Sequence, residues 1–291
     1  MTAARLGRRA LVLAGDIPGG QLLSIEKVDG FPGYPEGIAG HDLCPLLQEQ
    51  ATGAGAEFLM SGAERICAQD GQWQVTTTEG DVLSRAMIVA TGSSLKKLGV
   101  SGEERLTGSG VSQCASCDGT LFPGRTVAVI GGGDSAMQEA LTLAEFAGRV
   151  IILHRGGALT GQAYYRDRVI AREKIDVRFN TIVEEILGDA RVSGLRVQDI
   201  RTGARFELET AAVFAYVGLQ PNAGFLHGLI EFDPTGRIPT DADMRTELIG
   251  VCAAGTVRSQ SACRAASAAG DGVSAAVAVD RYLTDGSWRA G

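Results

Sequence analysis

Apolar positions divide the 291-residue chain into short segments separated by glycine-rich turns. Thr126-Val-Ala-Val-Ile130 is apolar after its first residue, the pattern of a strand covered on both faces, and Arg149 to Leu153 repeats it. Between them, Ala136 to Ala147 carries helix-forming residues with apolar spacing. Strand, helix, strand in this order predicts a parallel βαβ unit. Further strands are expected at Glu57 to Leu59, Ala63 to Ala68, Trp73 to Thr78, Leu83 to Ala90, Ala211 to Val217 and Leu248 to Ala254. Helices are expected over Gly40 to Thr52 and from Asp271-Gly272 through Tyr282, and Arg9 to Leu13 reads as a helix end followed by a strand. Tyr164 to Lys174 reads as an amphipathic helix whose Arg166, Arg168, Arg172 and Lys174 form a solvated face.

Two breaks organise these elements. Lys96 to Ser112 is polar, and Gly218-Leu-Gln-Pro-Asn222 ends an apolar strand with turn formers. The expected division is 1–96, 97–218 and 219–291, with the middle part inserted into a domain made by the other two. The fold class is α/β, with two Rossmann-like, three-layer domains.

Composition narrows the function. Forty glycines and 45% hydrophobic content suit α/β domains with tight turns, and a net charge of −7 argues against nucleic acid and anionic membranes as partners. No apolar run is long enough to span a bilayer. Arg5, Arg8 and Arg9 before Ala10-Leu-Val-Leu-Ala14 superficially resemble a signal peptide, but the apolar run is too short and Gly15-Asp16 ends it. Six cysteines in a chain this long do not make a disulfide scaffold, so a reducing, cytoplasmic compartment is expected.

The chemistry concentrates between Gln113 and Ala140. Cys114 and Cys117 have the spacing at which one thiolate attacks a disulfide and its neighbour resolves the mixed disulfide. Asp118 follows, a carboxyl group able to exchange the proton each thiolate step needs. Half a zinc site is the competing reading, yet Cys44, Cys67, Cys252 and Cys263 form no second pair, and no metal is expected. His41, His154 and His227 are scattered and read as structural, with His154 placed near a cofactor.

Directly after the cysteines, Gly131, Gly133 and Ala136 fit G-x-G-x-x-A between a strand and a helix, where the backbone can approach a pyrophosphate held at the helix N-terminus. The second strand ends at His154-Arg155, where such folds read the ribose.

Cys114-Ala-Ser-Cys-Asp-Gly119 followed by Val127-Ala-Val-Ile-Gly-Gly-Gly-Asp-Ser-Ala136 resembles the low-molecular-weight thioredoxin reductases, and the similarity covers nearly the whole chain. Gly19, Gly20, Gln21 and Phe31-Pro-Gly33 resemble the family's flavin-contacting segment, and Ala90-Thr91-Gly92 and Gly218-Leu-Gln-Pro-Asn222 its two crossovers. Ala253-Ala-Gly255-Thr256, with Arg264, Ala265, Ala266 and Ala269-Gly-Asp-Gly272, resembles its C-terminal flavin site. The resemblance implies FAD bound by 1–96 and 219–291, and NADP or NAD bound by 97–218 through Gly131, Gly133, Asp134, Ser135, Ala136, His154 and Arg155. It implies electron flow from the nicotinamide through FAD to the Cys114–Cys117 disulfide. Cys117 would face the flavin, Cys114 would attack the partner, and Asp118 would donate the proton. Thioredoxin or another small disulfide is the expected partner, the protein is expected to be a homodimer, and the domain boundaries are expected to act as hinges.

Some positions depart from the family. Thr256 stands where an acid is expected, and Gly30 where an asparagine is. The family's arginine clamp on the 2′-phosphate keeps only His154-Arg155, with Gly156 and Thr160 at the other two arginine positions. The chain also begins inside the helix that follows the family's first strand and flavin glycine turn, so that strand and turn are expected to be missing and the sheet split. Two other readings stay open: a flavin-dependent dithiol oxidase or reductase not using NADPH, and a non-catalytic relative.

Overall fold

Along Thr126–Ile130 the side chains alternate between two buried faces. Val127 and Val129 pack with Val150, Ile152 and Phe214 under the helix Asp134–Phe146, against Ala136, Met137, Ala140 and Leu143. Ala128 and Ile130 pack with Ile151, Leu153 and Val213 on the other face, against Val183, Ile186, Leu195, Val197 and Leu208. A strand buried on both sides has no polar face to alternate with, which is why the sequence reads as a continuous apolar run. Burying each of these larger aliphatic side chains stabilises the fold by about 1.5 to 3 kcal/mol.

The computed structural model describes Met1 to Trp288 and divides into two units, Leu95–Leu219 and the remainder of the chain on either side of it. The inserted unit holds a five-stranded parallel sheet in the order Ile175–Arg178, Arg149–Leu153, Thr126–Ile130, Val213–Ala215, Val111–Ser112. Helices Asp134–Phe146 and Ala163–Ile170 cover one face, and the antiparallel strands Thr181–Leu187, Gly194–Asp199 and Arg205–Glu209 cover the other. These are the three layers of a Rossmann-like domain.

The outer unit contains two parallel pairs, Leu11–Leu13 with Glu57–Leu59 and Met87–Val89 with Val251–Ala253. An antiparallel meander of Ala63–Gln69, Gln72–Thr77 and Gly80–Ser84 lies between them in sequence. Among the described residues no strand joins the two parallel pairs into one sheet. The long helices of this unit are Gly40–Gly53 and Ala265–Asp285.

Several expected elements differ. The Tyr164–Lys174 helix ends at Ile170, and beyond it Arg172 pairs with Glu145 while Lys174 donates to the Ala144 and Ala147 carbonyls, so neither lies on the expected helical face; the Ala211–Val217 strand covers only Val213–Ala215. Leu83 to Ala90 is two strands rather than one, because the chain leaves the meander at Ser84 and re-enters a parallel pair at Met87, with the Ser84 hydroxyl bonded to the Ala86 carbonyl at the bend. Leu248 to Ala254 is strand only over Val251–Ala253, since Gly250 turns with φ +80°. The C-terminal helix begins at Ala265, six residues before Asp271. Gly270 and Gly272 look like breakers in sequence, but the Ser267 hydroxyl donates to the Arg264 carbonyl at 2.9 Å and sets the helix start upstream of them.

Candidate active site

Cys114 and Cys117 form a disulfide, with their Cα atoms 5.3 Å apart. The pair sits on a single helical turn, Ala115–Asp118, that follows the edge strand Val111–Ser112. Ser112 fixes the approach: its hydroxyl accepts from the Cys114 amide at 3.0 Å. Cys114 caps the turn, its sulfur accepting from the Cys117 amide at 3.2 Å, and the Asp118 amide donates to the Cys114 carbonyl at 3.1 Å. Ala115 is fully buried and anchors the turn, whereas Cys117 is exposed. The free cysteines are different in kind. Cys44 and Cys252 are buried, and desolvation pushes the Cys252 thiol up to about 12 and the Cys44 thiol up as well, which keeps both protonated and inert.

Next in sequence comes the glycine turn. Gly131 has φ +143°, and a Cβ there would lie 2.3 Å from the Tyr216 carbonyl, so only glycine lets the strand end pass so close. Gly133 precedes the helix without a side-chain cap, and the Asp134 carboxylate is turned aside, accepting from the Gln162 amide at 2.6 Å and its side-chain nitrogen at 3.2 Å. Ser135 is exposed and Ala136 buried beneath it. The loop after the second strand folds back on the turn: Thr160 donates to the Gly132 carbonyl through its amide at 2.8 Å and its hydroxyl at 3.2 Å. His154 lies against Gly132 and Gly156, and burial lowers its pKa, overriding the opposing Ala158 carbonyl, while the Arg155 charge lowers it further. Its Nε2 is buried without a partner, and Arg155 is exposed. A helix N-terminus free of a cap, a glycine turn open to close approach and an orphaned ring nitrogen beside it fit a dinucleotide phosphate and ribose.

The outer unit brings together residues far apart in sequence. The Thr91 hydroxyl donates to the Asn222 carbonyl at 2.6 Å, the Asn222 side chain returns a bond to the Thr91 carbonyl at 3.0 Å, and the Asn222 amide donates to the Gly92 carbonyl at 3.0 Å. A Cβ on Gly92 would stand 3.6 Å from the Thr256 hydroxyl, so Gly92, Gly255 and Thr256 share one small site. Gly255 donates its amide to Asp271 at 3.0 Å, and Arg258 grips the same carboxylate with two bonds of 2.7 Å. Arg264 precedes the C-terminal helix, whose first turn contains Ala265 and Ala266. Gly19, Gly20 and Gln21 are exposed at the start of a short helical turn, and Gly19, at φ +118°, packs against Cys44. Small residues and positive-φ glycines facing a hydroxyl fit a flavin nucleotide brought close to backbone. Arg258, Glu139 and Tyr216 escaped the sequence reading, which placed Asp271 in the Ala269–Gly272 motif but gave it no partner.

The family model for pyridine nucleotide-disulphide oxidoreductases matches residues 1–272. The chain belongs to this family. Within it, the chain is 37% identical to the thioredoxin reductase of Treponema pallidum, over 97% of the chain and 91% of that protein, and 38% identical to that of Streptomyces coelicolor, over 96% and 88%. The crystal structure of Lactococcus lactis thioredoxin reductase in its FR conformation superposes with a TM-score of 0.95 at 34% identity, covering 98% of this chain and 94% of that one. These similarities place the chain among the low-molecular-weight thioredoxin reductases, as a flavoprotein disulfide oxidoreductase. No helix among the described residues is long and apolar enough to cross a membrane, and no group of three or more His, Cys, Asp or Glu among them could hold a metal ion.

Proposed function

We propose that this oxidoreductase uses reducing power from NADPH or NADH to reduce the disulfide of thioredoxin or of another small redox protein, with FAD as the resident cofactor. The observation that carries the reading is the Cys114–Cys117 disulfide, borne at the surface by the same unit that carries the Gly131–Gly133 turn. Bound FAD would supply a two-electron carrier between the nicotinamide and the protein disulfide. Gly19, Gly20, Gln21, Thr91, Gly92, Gly255, Thr256, Arg264, Ala265 and Ala266 would hold it, in the domain formed by 1–96 and 219–291. Gly131, Gly133, Asp134, Ser135, Ala136, His154 and Arg155 would hold the nicotinamide dinucleotide, in the domain 97–218.

Reduction opens the Cys114–Cys117 bond, and the freed thiolate of Cys114 attacks the partner disulfide. Cys117 then closes on Cys114 and releases the partner as a dithiol, while Asp118 supplies and recovers a proton at the sulfurs. The nicotinamide preference is weak. Of the positions 155, 156 and 160, Arg155 alone is cationic: Gly156 offers no side chain, and both donors of Thr160 are spent on the Gly132 carbonyl. Two absent charge-assisted bonds forgo about 1.5 to 3 kcal/mol each. A homodimer in a reducing, cytoplasmic setting completes the reading.

The test is an absorbance spectrum of the purified protein before and after anaerobic addition of NADPH and, separately, NADH. Flavin bands that bleach with both nucleotides are the expected result. Bands that persist with both would remove the nicotinamide from the reaction and leave a dithiol oxidase or a reductase with another donor. A protein that carries no flavin would overturn the reading.

A further inference from the structure

Beneath the redox turn lie a half-buried carboxylate and a buried phenol that the disulfide exchange itself does not use. The Glu139 carboxylate, on the helix Asp134–Phe146, accepts from the Ala115 amide at 3.3 Å, one residue from Cys114. Tyr216, just beyond the strand Val213–Ala215, is 8% exposed and belongs to the same buried cluster as Ala115. Its oxygen has no partner at full hydrogen-bond geometry, yet it lies close enough to the Glu139 carboxylate and the Ala115 amide for both to act on it. Burial first, and then the negative charge of Glu139, raise the Tyr216 phenol far above its ordinary range, with Asp118 adding a smaller push. The phenol therefore stays protonated at any working pH and adds no second negative charge beside Glu139.

We propose that Glu139, held against the Ala115 amide, is a fixed negative charge under the redox turn that holds the reduced Cys114 and Cys117 in the thiol form. Opening the disulfide breaks one S–S bond and takes up two electrons, which the nicotinamide supplies in the reaction proposed above. It takes two protons if both sulfurs end as thiols and one if a thiolate remains. A nearby anion disfavours the thiolate, so the protein collects the second proton on reduction and yields it when Cys114 attacks a partner. The titratable groups facing the pair are Asp118 from its own turn, Glu139 from the neighbouring helix and Tyr216 from the strand end; the following turn, Gly119–Leu121, contributes none. Glu139 is a positioning residue, since it acts through the cysteines.

The inference rests on Cys114–Cys117 being the redox pair, and its test reads the cysteines directly, independently of turnover with any partner. In the reduced protein, thiolate ultraviolet absorbance is titrated against pH and corrected with the Cys114→Ser/Cys117→Ser protein. The disulfide–dithiol equilibrium is then measured against dithiothreitol across the same pH range. Glu139→Gln keeps the amide contact and removes the charge. It is expected to raise the thiolate fraction about tenfold at a given pH, one pKa unit. It should also displace the equilibrium toward the dithiol increasingly as pH rises past the lowered thiol pKa, with no displacement below it. Tyr216→Phe, which removes a neutral hydroxyl and leaves the Glu139 charge in place, is expected to move the titration far less than Glu139→Gln does. A thermal melt establishes that each variant is folded. A folded Glu139→Gln protein whose thiol titration and redox equilibrium match the parent at every pH would overturn the proposal, as would a displacement of equal size across all pH.

Discussion

Arg258 and Asp271 are 13% and 9% exposed at their side chains, and the carboxylate is shared between the guanidinium and the Gly255 amide. The pair therefore ties the Gly255–Thr256 turn to the C-terminal helix. Arg258→Met would leave a buried carboxylate with one amide donor, at a cost of about 3 to 5 kcal/mol. A urea melt checks this, and a loss under about 1 kcal/mol, the range of exposed pairs, would contradict the burial argument. The residues that sequence disclosed and those it hid differ in range. Cys114, Cys117 and Asp118 declare themselves because they fall within five consecutive residues, the cysteines three positions apart. Arg258 with Asp271, and Glu139 with Tyr216, meet only after a helix and a strand have been laid side by side, and no local spacing encodes that.

The C-terminal helix shows the same limit in an element. Its apolar periodicity was legible, but its start was not, because Gly270 and Gly272 carry a weak helix propensity that tertiary packing overrides. Alanines 275, 276 and 278 with Val279 bury one face against Cys252 and Met244, and that burial holds the glycines helical. A Cβ at Gly270 would meet nothing within 4 Å. Gly270→Ala should therefore stabilise the protein by about 0.5 to 1 kcal/mol, read as a raised melting temperature. A drop in melting temperature would show that this position is not in regular helix. The strands of the inserted unit were legible because burial on both faces leaves an unbroken apolar signature, whereas the boundaries at Ser84 and Gly250 depended on a side-chain bond and a positive-φ turn.

For the molecule as a whole, the inserted unit joins a nucleotide turn and a redox disulfide in one body, and the outer unit gathers Thr91, Gly92, Gly255 and Thr256 from both ends of the chain. The division into two units was readable from the two breaks near Lys96 and Gly218; the convergence of the outer residues was not, since it joins positions more than a hundred residues apart. The central claim is that electrons reach a partner only through Cys114 and Cys117. The direct measurement compares the parent with the Cys114→Ser/Cys117→Ser protein, both supplied with NADPH and thioredoxin disulfide, following flavin bleaching and partner thiols in the same sample. The account predicts that the variant still bleaches but produces no partner thiols above the uncatalysed rate. Partner thiols formed by the variant at the parent's rate would contradict it.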